Sequence, residues 1–163
     1  MSLNSLQDLF AEQLQDLYSA ETQFAAAQTK MLEGVSDGSL KASVEQHGQE
    51  TQAQIQRLEE VAQACGLDSL TGKTCQAAKG LVAEGQELLD EDGDPAVKDA
   101  GIIASLQRVE HYEIAGYGTA LAYAKRLGYD EAARLLEQTL EEEKATDAKL
   151  SGLAETSINA QAA

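Results

Sequence analysis

Apolar residues recur at intervals of three and four along most of the chain, and no stretch alternates apolar and polar positions as a strand would. This spacing predicts α-helices, because one helical turn takes 3.6 residues. Glycine, proline and short polar runs divide the pattern into five segments. The predicted helices cover residues 6–33, 39–65, 74–91, 95–127 and 130–153.

Residues at the segment boundaries predict how the helices begin and end. Ser39 and Asp130 are the expected N-caps of the second and the last helix, since their side chains can accept from exposed backbone N–H groups. Asp94 followed by Pro95 is a cap with proline in the first helical position. Gly34 is expected to end the first helix in the left-handed conformation.

The four long helices must bury their apolar stripes on one another, which predicts an all-α antiparallel four-helix bundle. Short loops join the first two and the last two long helices, so each pair forms a hairpin. The connection between the pairs holds a short extra helix and can cross the bundle from end to end. We expect a single domain over residues 1–163, with a frayed tail at 155–163 because no pattern continues there.

Each long helix interrupts its apolar stripe near the middle with an acidic residue, and one adds a histidine. The interrupting residues are Glu21, His47, Glu50, Glu110, Glu113, Glu143 and Asp147. A lone buried carboxylate is costly, and several in one layer repel one another unless cations lie between them. Carboxylates with one imidazole suit iron or manganese. The pattern therefore predicts a pair of metal ions inside the bundle.

The same residues also fit plainer interpretations, which the sequence leaves open. Glu143 belongs to a run of three acids, and such runs usually form solvated faces. Glu110 and Glu113 fit an exposed pair beside Arg108, and His47 fits an interfacial position. On this view the acids are surface groups or partners of lysine and arginine.

Composition narrows the function classes. The chain has 28 acidic and 12 basic residues and a net charge of −16, so binding to nucleic acid is not expected. No apolar run is long enough for a membrane span, and the N-terminus does not resemble a signal peptide.

Cys65 and Cys75 lack the spacing of a zinc site, and reduced thiols in a cytoplasmic protein are the simpler interpretation.

Several strings in the same order resemble the bacterial YciF-like (YciE/YciF) family over roughly residues 6–153. They include Asp16-Leu17-Tyr18-Ser19-Ala20-Glu21, His47-Gly48-Gln49-Glu50-Thr51, Gly72-Lys73-Thr74-Cys75, Gln107-Arg108-Val109-Glu110-His111-Tyr112-Glu113 and Glu142-Glu143-Lys144-Ala145-Thr146-Asp147. The resemblance implies a ferritin-like fold, a homodimer, a link to bacterial stress responses and a dinuclear metal site without a settled activity.

By matching position, the resemblance implies Glu21, Glu50, Glu110, Glu113 and Glu143 as metal ligands. Asp147 and His47 would be further ligands or supporting groups. The chain departs from the usual Glu-x-x-His pattern of di-iron bundles, because its second helix carries the reversed order His47-x-x-Glu50.

Three hypotheses about function follow from the sequence. The first is a di-iron protein, with manganese as the alternative metal, that reacts with oxygen or peroxide. The second is a non-enzymatic dimeric stress protein whose acids are protonated or salt-bridged. The third, an iron-storage cage, is disfavoured because no clear fifth helix follows the bundle.

Overall fold

A computed structural model describes residues 3–163, and every regular element in that part of the chain is helical. The main helices are α1 Leu6–Gly34, α2 Gly38–Ala64, α3 Gln76–Asp90, α4 Pro95–Leu127 and α5 Asp130–Leu153. Their ends lie within two residues of the predicted ones. The predicted all-α fold class is confirmed.

Two of the predicted caps are wrong. The cap of α2 is Asp37, whose Oδ1 accepts from the N–H groups of Ser39 and Leu40 at 2.8 and 2.9 Å. Ser39 lies inside the first turn and is itself one of the donors. Asp130 is the first residue of α5 and not its cap. Its negative charge still interacts favourably with the positive, N-terminal end of the helix dipole.

Gly34 does not take the left-handed conformation, in contrast to the prediction. It remains helical, and positive φ values in the described residues occur at other glycines, including Gly128 after α4. A Cβ added at Gly34 would lie 2.4 Å from Cδ2 of Leu89. The glycine at this position therefore permits close approach between α1 and α3.

Neighbouring long helices run antiparallel. Arg57 near the end of α2 donates to Thr139 near the start of α5 at 2.6 Å, and Lys149 near the end of α5 donates to Gln46 of α2 at 2.9 Å. α1 packs beside α2 and α4, α5 packs beside the same two helices, and α3 lies against α1 and α4. The extra helix therefore covers the groove between α1 and α4.

The apolar core is divided into two main clusters, one toward each end of the bundle. One cluster contains Phe10, Leu14, Leu58, Leu121 and Leu136, and the other contains Leu40, Val44, Ile102, Ile103 and Leu150. The middle positions of α1, α4 and α5 between them carry buried acids. A small third cluster around Phe24 and Ala78 joins α3 to the bundle.

The predicted frayed tail is wrong. The chain continues from α5 through a π-helical turn, Ala154–Ile158, into the short helix α6, Asn159–Gln161. Ile158 is 1% exposed and belongs to the cluster that holds Leu150. A single apolar residue among small polar ones forms no periodic pattern, so the sequence does not predict its burial. The wide π-helical turn places Ile158 against the core.

Within residues 3–163, no helix combines the length and the apolar character that crossing a membrane requires.

Gly116 and Gly118 of α4 provide a matched test of the packing. A Cβ at Gly118 meets nothing within 4 Å, whereas one at Gly116 would lie 2.7 Å from Cδ2 of the core residue Leu17. Gly118→Ala should raise the free energy of unfolding by about 1 kcal/mol, because alanine is the better helix former. Gly116→Ala should give a clearly lower value in the same urea titration. Equal stabilisation by both changes would contradict this packing.

Candidate metal centre

Four glutamates lie between the two apolar clusters and are almost completely excluded from solvent. Glu21 of α1, Glu110 and Glu113 of α4, and Glu143 of α5 are each at most 1% exposed. His47 of α2 joins them. One ligand atom each from His47, Glu110, Glu113 and Glu143 lies within 4.8 Å of all the others. Side chains from α2, α4 and α5 thus converge at one position inside the bundle.

Glu21 borders this group through Glu113. Each of the two carboxyl groups shifts the pKa of the other, and the Tyr117 hydroxyl donates to Oε1 of Glu21. Glu110 and Glu143, whose ligand atoms lie within 4.8 Å of each other, affect each other's pKa in the same way. The layer therefore contains two carboxyl pairs, with Tyr117 fixing the orientation of one member.

Every buried side-chain nitrogen or oxygen that lacks a hydrogen-bond partner in the described residues belongs to this layer. These atoms are Glu21 Oε2, His47 Nδ1, Gln54 Oε1, both oxygens of Glu110, Glu113 Oε2 and Glu143 Oε2. Oε1 of Glu110 lacks a hydrogen-bonding donor even though His47 Nε2 is 3.3 Å away. Buried polar atoms are nearly always partnered in folded proteins, so a cluster of exceptions needs a specific physical explanation.

Burial sets the protonation of the layer. Desolvation, followed by repulsion from Glu143, raises the pKa of Glu21 to about 8. Desolvation also raises the pKa of Glu143 to about 7, and those of Glu110 and Glu113 are raised as well. The His47 pKa is lowered to about 4 by burial, so its imidazole is neutral near pH 7. This histidine cannot neutralise the acids, but it can be a metal ligand.

Neutral and basic groups on α2 support one side of the layer. Gln54 donates to Oε1 of Glu143 and, at 3.2 Å, to Oε2 of Glu142. Arg57 holds both oxygens of Glu142 at 2.7 and 3.0 Å. The arginine charge is therefore paired with Glu142, and its lowering of the pKa of Glu21 is the smallest of the effects on that group.

Glu50 and Asp147 lie around the layer and not in its centre. Glu50 is half-buried and accepts from Gln46 at 2.8 Å. Asp147 accepts from Gln107 at 2.9 Å and lies 3.3 Å from His111 Nε2. Both still act on the layer, because Glu50 helps to raise the pKa of Glu143 and Asp147 that of Glu110. Their role as ligands stays a prediction, as does that of the other predicted residues.

Sequence reasoning missed the supporting groups Gln54 and Tyr117. Gln54 is fully buried on the apolar stripe of α2. A polar residue at such a position is the sequence signal that indicates a supporting role. Tyr117 packs in the core, and its hydroxyl also reaches Glu21.

Cys65 and Cys75 are both free thiols. Burial raises the pKa of Cys65 to about 11. Cys75 is buried and caps α3, with its Sγ 3.4 Å from the N–H of Ala78 and 2.9 Å from the Tyr112 hydroxyl. Neither thiol is among the residues of the carboxylate layer.

The donor set of this layer is chemically suited to a metal ion. It offers carboxylate oxygens and one neutral imidazole, which are ligands that iron and manganese accept. The partnerless buried oxygens are the observation on which this fit depends. The described fold and this layer define an all-α, ferritin-like four-helix bundle with buried carboxylates.

The chain belongs to the family described as domain of unknown function DUF892, whose model matches residues 5–163. It is 41% identical to protein YciF of Escherichia coli strain K12, over 99% of this chain and 98% of that protein. The resemblance to the YciF-like family predicted from the sequence is confirmed.

Solved structures agree with this membership. The crystal structure of the E. coli stress protein YciF has a TM-score of 0.92 at 41% identity and covers 96% of this chain and 98% of its own. YcfI of Rhodopseudomonas palustris, described as "a putative structural protein", has a TM-score of 0.88 at 41% identity and covers 92% and 95%. A protein of Xanthomonas campestris pv. campestris, with a TM-score of 0.75 at 24% identity over 96% and 95%, shares the fold.

The raised carboxyl pKa values predict how pH changes the stability of the metal-free protein. In the folded state these groups keep protons that the unfolded chain has already lost, so this stabilisation disappears as the pH rises through the folded pKa values. The free energy of unfolding should fall by more than about 1 kcal/mol between about pH 6 and pH 8. His47 opposes this fall to a smaller extent, because its pKa is lowered on folding.

Urea titrations of chelator-treated protein across that range measure the slope. Glu143→Gln should flatten it, while Glu131→Gln, at an exposed position of the same helix, should leave it unchanged. A metal-free protein that becomes more stable toward pH 8 would contradict the assignment of protons to this layer.

Proposed function

We propose that this protein binds two iron ions in its carboxylate layer and uses them to reduce dioxygen or peroxide during bacterial stress. The observation that carries this proposal is the gathering of all partnerless buried side-chain atoms of the described residues in one layer. The relation to a stress protein of E. coli supports the physiological setting. Manganese is the alternative metal, because the same oxygen and imidazole donors suit it.

The bound pair would supply two electrons, so that dioxygen and two protons give hydrogen peroxide, or hydrogen peroxide and two protons give two water molecules. Glu110 and Glu143 would be among the residues that hold the metal, since both lie in the group that converges with His47. Tyr117 would hold Glu21 in place, and Gln54 would hold Glu143. Such supporting hydrogen bonds orient ligands before the metal arrives.

The surrounding residues would control water and protons. Apolar clusters lie toward both ends of the bundle, which keeps water away from the layer. The carboxyl groups hold protons near neutral pH because burial raises their pKa values. Metal binding would release those protons, since ligands bind metals in their deprotonated form.

A second candidate function is that of a dimeric structural protein of the cytoplasm without a working metal site. The carboxyl pairs favour it, because one shared proton in each pair would relieve repulsion without any cation. The description of YcfI as a structural protein also supports it. In both cases we expect a homodimer. A large multi-chain shell in size-exclusion chromatography would instead support the hypothesis of an iron-storage cage.

Iron binding separates the two candidates. Protein purified without chelators or nickel resin and titrated with ferrous iron under anaerobic conditions should take up about two ions per chain. Air should then produce the absorption of an oxo-bridged ferric pair. Glu110→Ala should lower the stoichiometry, whereas Glu131→Ala, an exposed acid of α5, should not. Elemental analysis that finds almost no bound metal in the unaltered protein would end this proposal.

Thermal unfolding of Glu110→Leu provides a second comparison. Without metal this variant should be as stable as the parent or more stable, because it removes a buried, repelling carboxyl group. With ferrous iron the parent should gain stability and the variant should gain much less, because ligands that bind only the folded state stabilise it. If iron raises the melting temperature of both proteins equally, the site lies elsewhere.

A further inference from the structure

An apolar cavity of about 70 Å³ lies among α1, α2, α3 and α4, beside the carboxylate layer. Its walls are mainly aliphatic and aromatic, and they include Phe24, Ala27, Val44, Leu81, Val82 and Leu106. His47 lies in the wall nearest the buried acids.

The polar groups of the cavity wall are mostly occupied by other partners. Gln28 donates to the carbonyl of Val44 at 2.7 Å, and Thr51 donates to the carbonyl of His47 at 3.0 Å. Gln86 donates to Asp90 at 2.7 Å. A guest in this space therefore finds few hydrogen-bonding groups. His47 Nδ1, buried and without a partner, is an exception.

A much smaller cavity, of about 10 Å³, continues toward the acids. It shares Val44, His47 and Leu106 with the apolar cavity, and Glu110 forms part of its wall. Val44, His47 and Leu106 thus line both the apolar space and the small cavity that borders Glu110. On the outer side, the apolar cavity is lined by the exposed residue Lys30.

A second space that borders the same small cavity is polar. A space of about 140 Å³ between α2 and α5 is lined by Gln46, Glu50, Glu142 and Lys149. It shares Ser43 and Thr146 with the small cavity. The α2–α5 side of the small cavity is therefore bordered by polar and charged side chains, in contrast to the apolar side.

We propose that the apolar cavity holds dioxygen and delivers it past His47 to the carboxylate layer. Dioxygen is small and apolar and enters such a space without losing hydrogen bonds, as other apolar guests do in dry cavities. Hydrogen peroxide would lose its hydrogen bonds to water there and gain few in return. This inference rests on the proposed function and narrows it, because it makes dioxygen the oxidant that uses this route.

Xenon tests the cavity without any metal. Xenon under pressure, followed by crystallography or by xenon NMR on the metal-free protein, should occupy the space in the unaltered chain. Ala27→Leu, which fills the cavity from α1, should abolish that occupancy, and Val82→Phe should do so from α3. Ala26→Leu makes the same chemical change at an exposed neighbouring position and should leave xenon binding intact.

Kinetics of the iron-loaded protein test delivery. Oxidation by dioxygen should be several-fold slower in Ala27→Leu and Val82→Phe than in Ala26→Leu, while oxidation by hydrogen peroxide and the iron stoichiometry stay unchanged. An equal slowing with both oxidants, or unchanged dioxygen kinetics in a protein that has lost xenon binding, would overturn the inference.

The failures of the two proposals can be told apart. If iron binds and no xenon enters the cavity, only the role of the cavity is overturned. If xenon enters and iron does not bind, the proposed function is overturned, and delivery of dioxygen to the layer is overturned with it.

Discussion

Repulsion among the four buried glutamates is the constraint on which the rest of the structure depends. At the separations found in this layer, two ionised carboxylates repel by about 3–4 kcal/mol at an effective dielectric constant of about 20. A domain has only about 5–15 kcal/mol of net stability, so several such pairs could not all stay ionised. The layer must hold protons or cations. The raised pKa values of Glu21 and Glu143 correspond to the first of these, protonation of the carboxyl groups.

The bundle tolerates this layer because its apolar core lies on both sides of it. Phe10, Leu14 and Leu136 stabilise one end of the bundle, and Leu40, Ile102 and Leu150 stabilise the other. Neither cluster includes any of the acids. The centre can therefore keep groups that lower stability, which is typical of functional sites.

The sequence predicted the helices and most of the buried acids because both depend on periodicity. Glu21, Glu110 and Glu143 lie where a buried apolar residue is expected. Glu50 and Asp147 lie at the edge of their stripes, where a small rotation of the helix decides between core and surface. The paired arrangement of the carboxyl groups could not be predicted, because it depends on the relative height of separate helices.

The extra helix α3 gives the two sides of the layer their different character. It lies over α1 and α4 and contributes Leu81, Val82 and Leu89 to the apolar cavity. The α2–α5 side has no such cover, and Glu50, Glu142 and Lys149 line its opening. A plain four-helix bundle would expose both grooves to water. In this chain the long connection makes the space on one side of the layer apolar and leaves the space on the other side polar, and the proposed delivery of dioxygen depends on that difference.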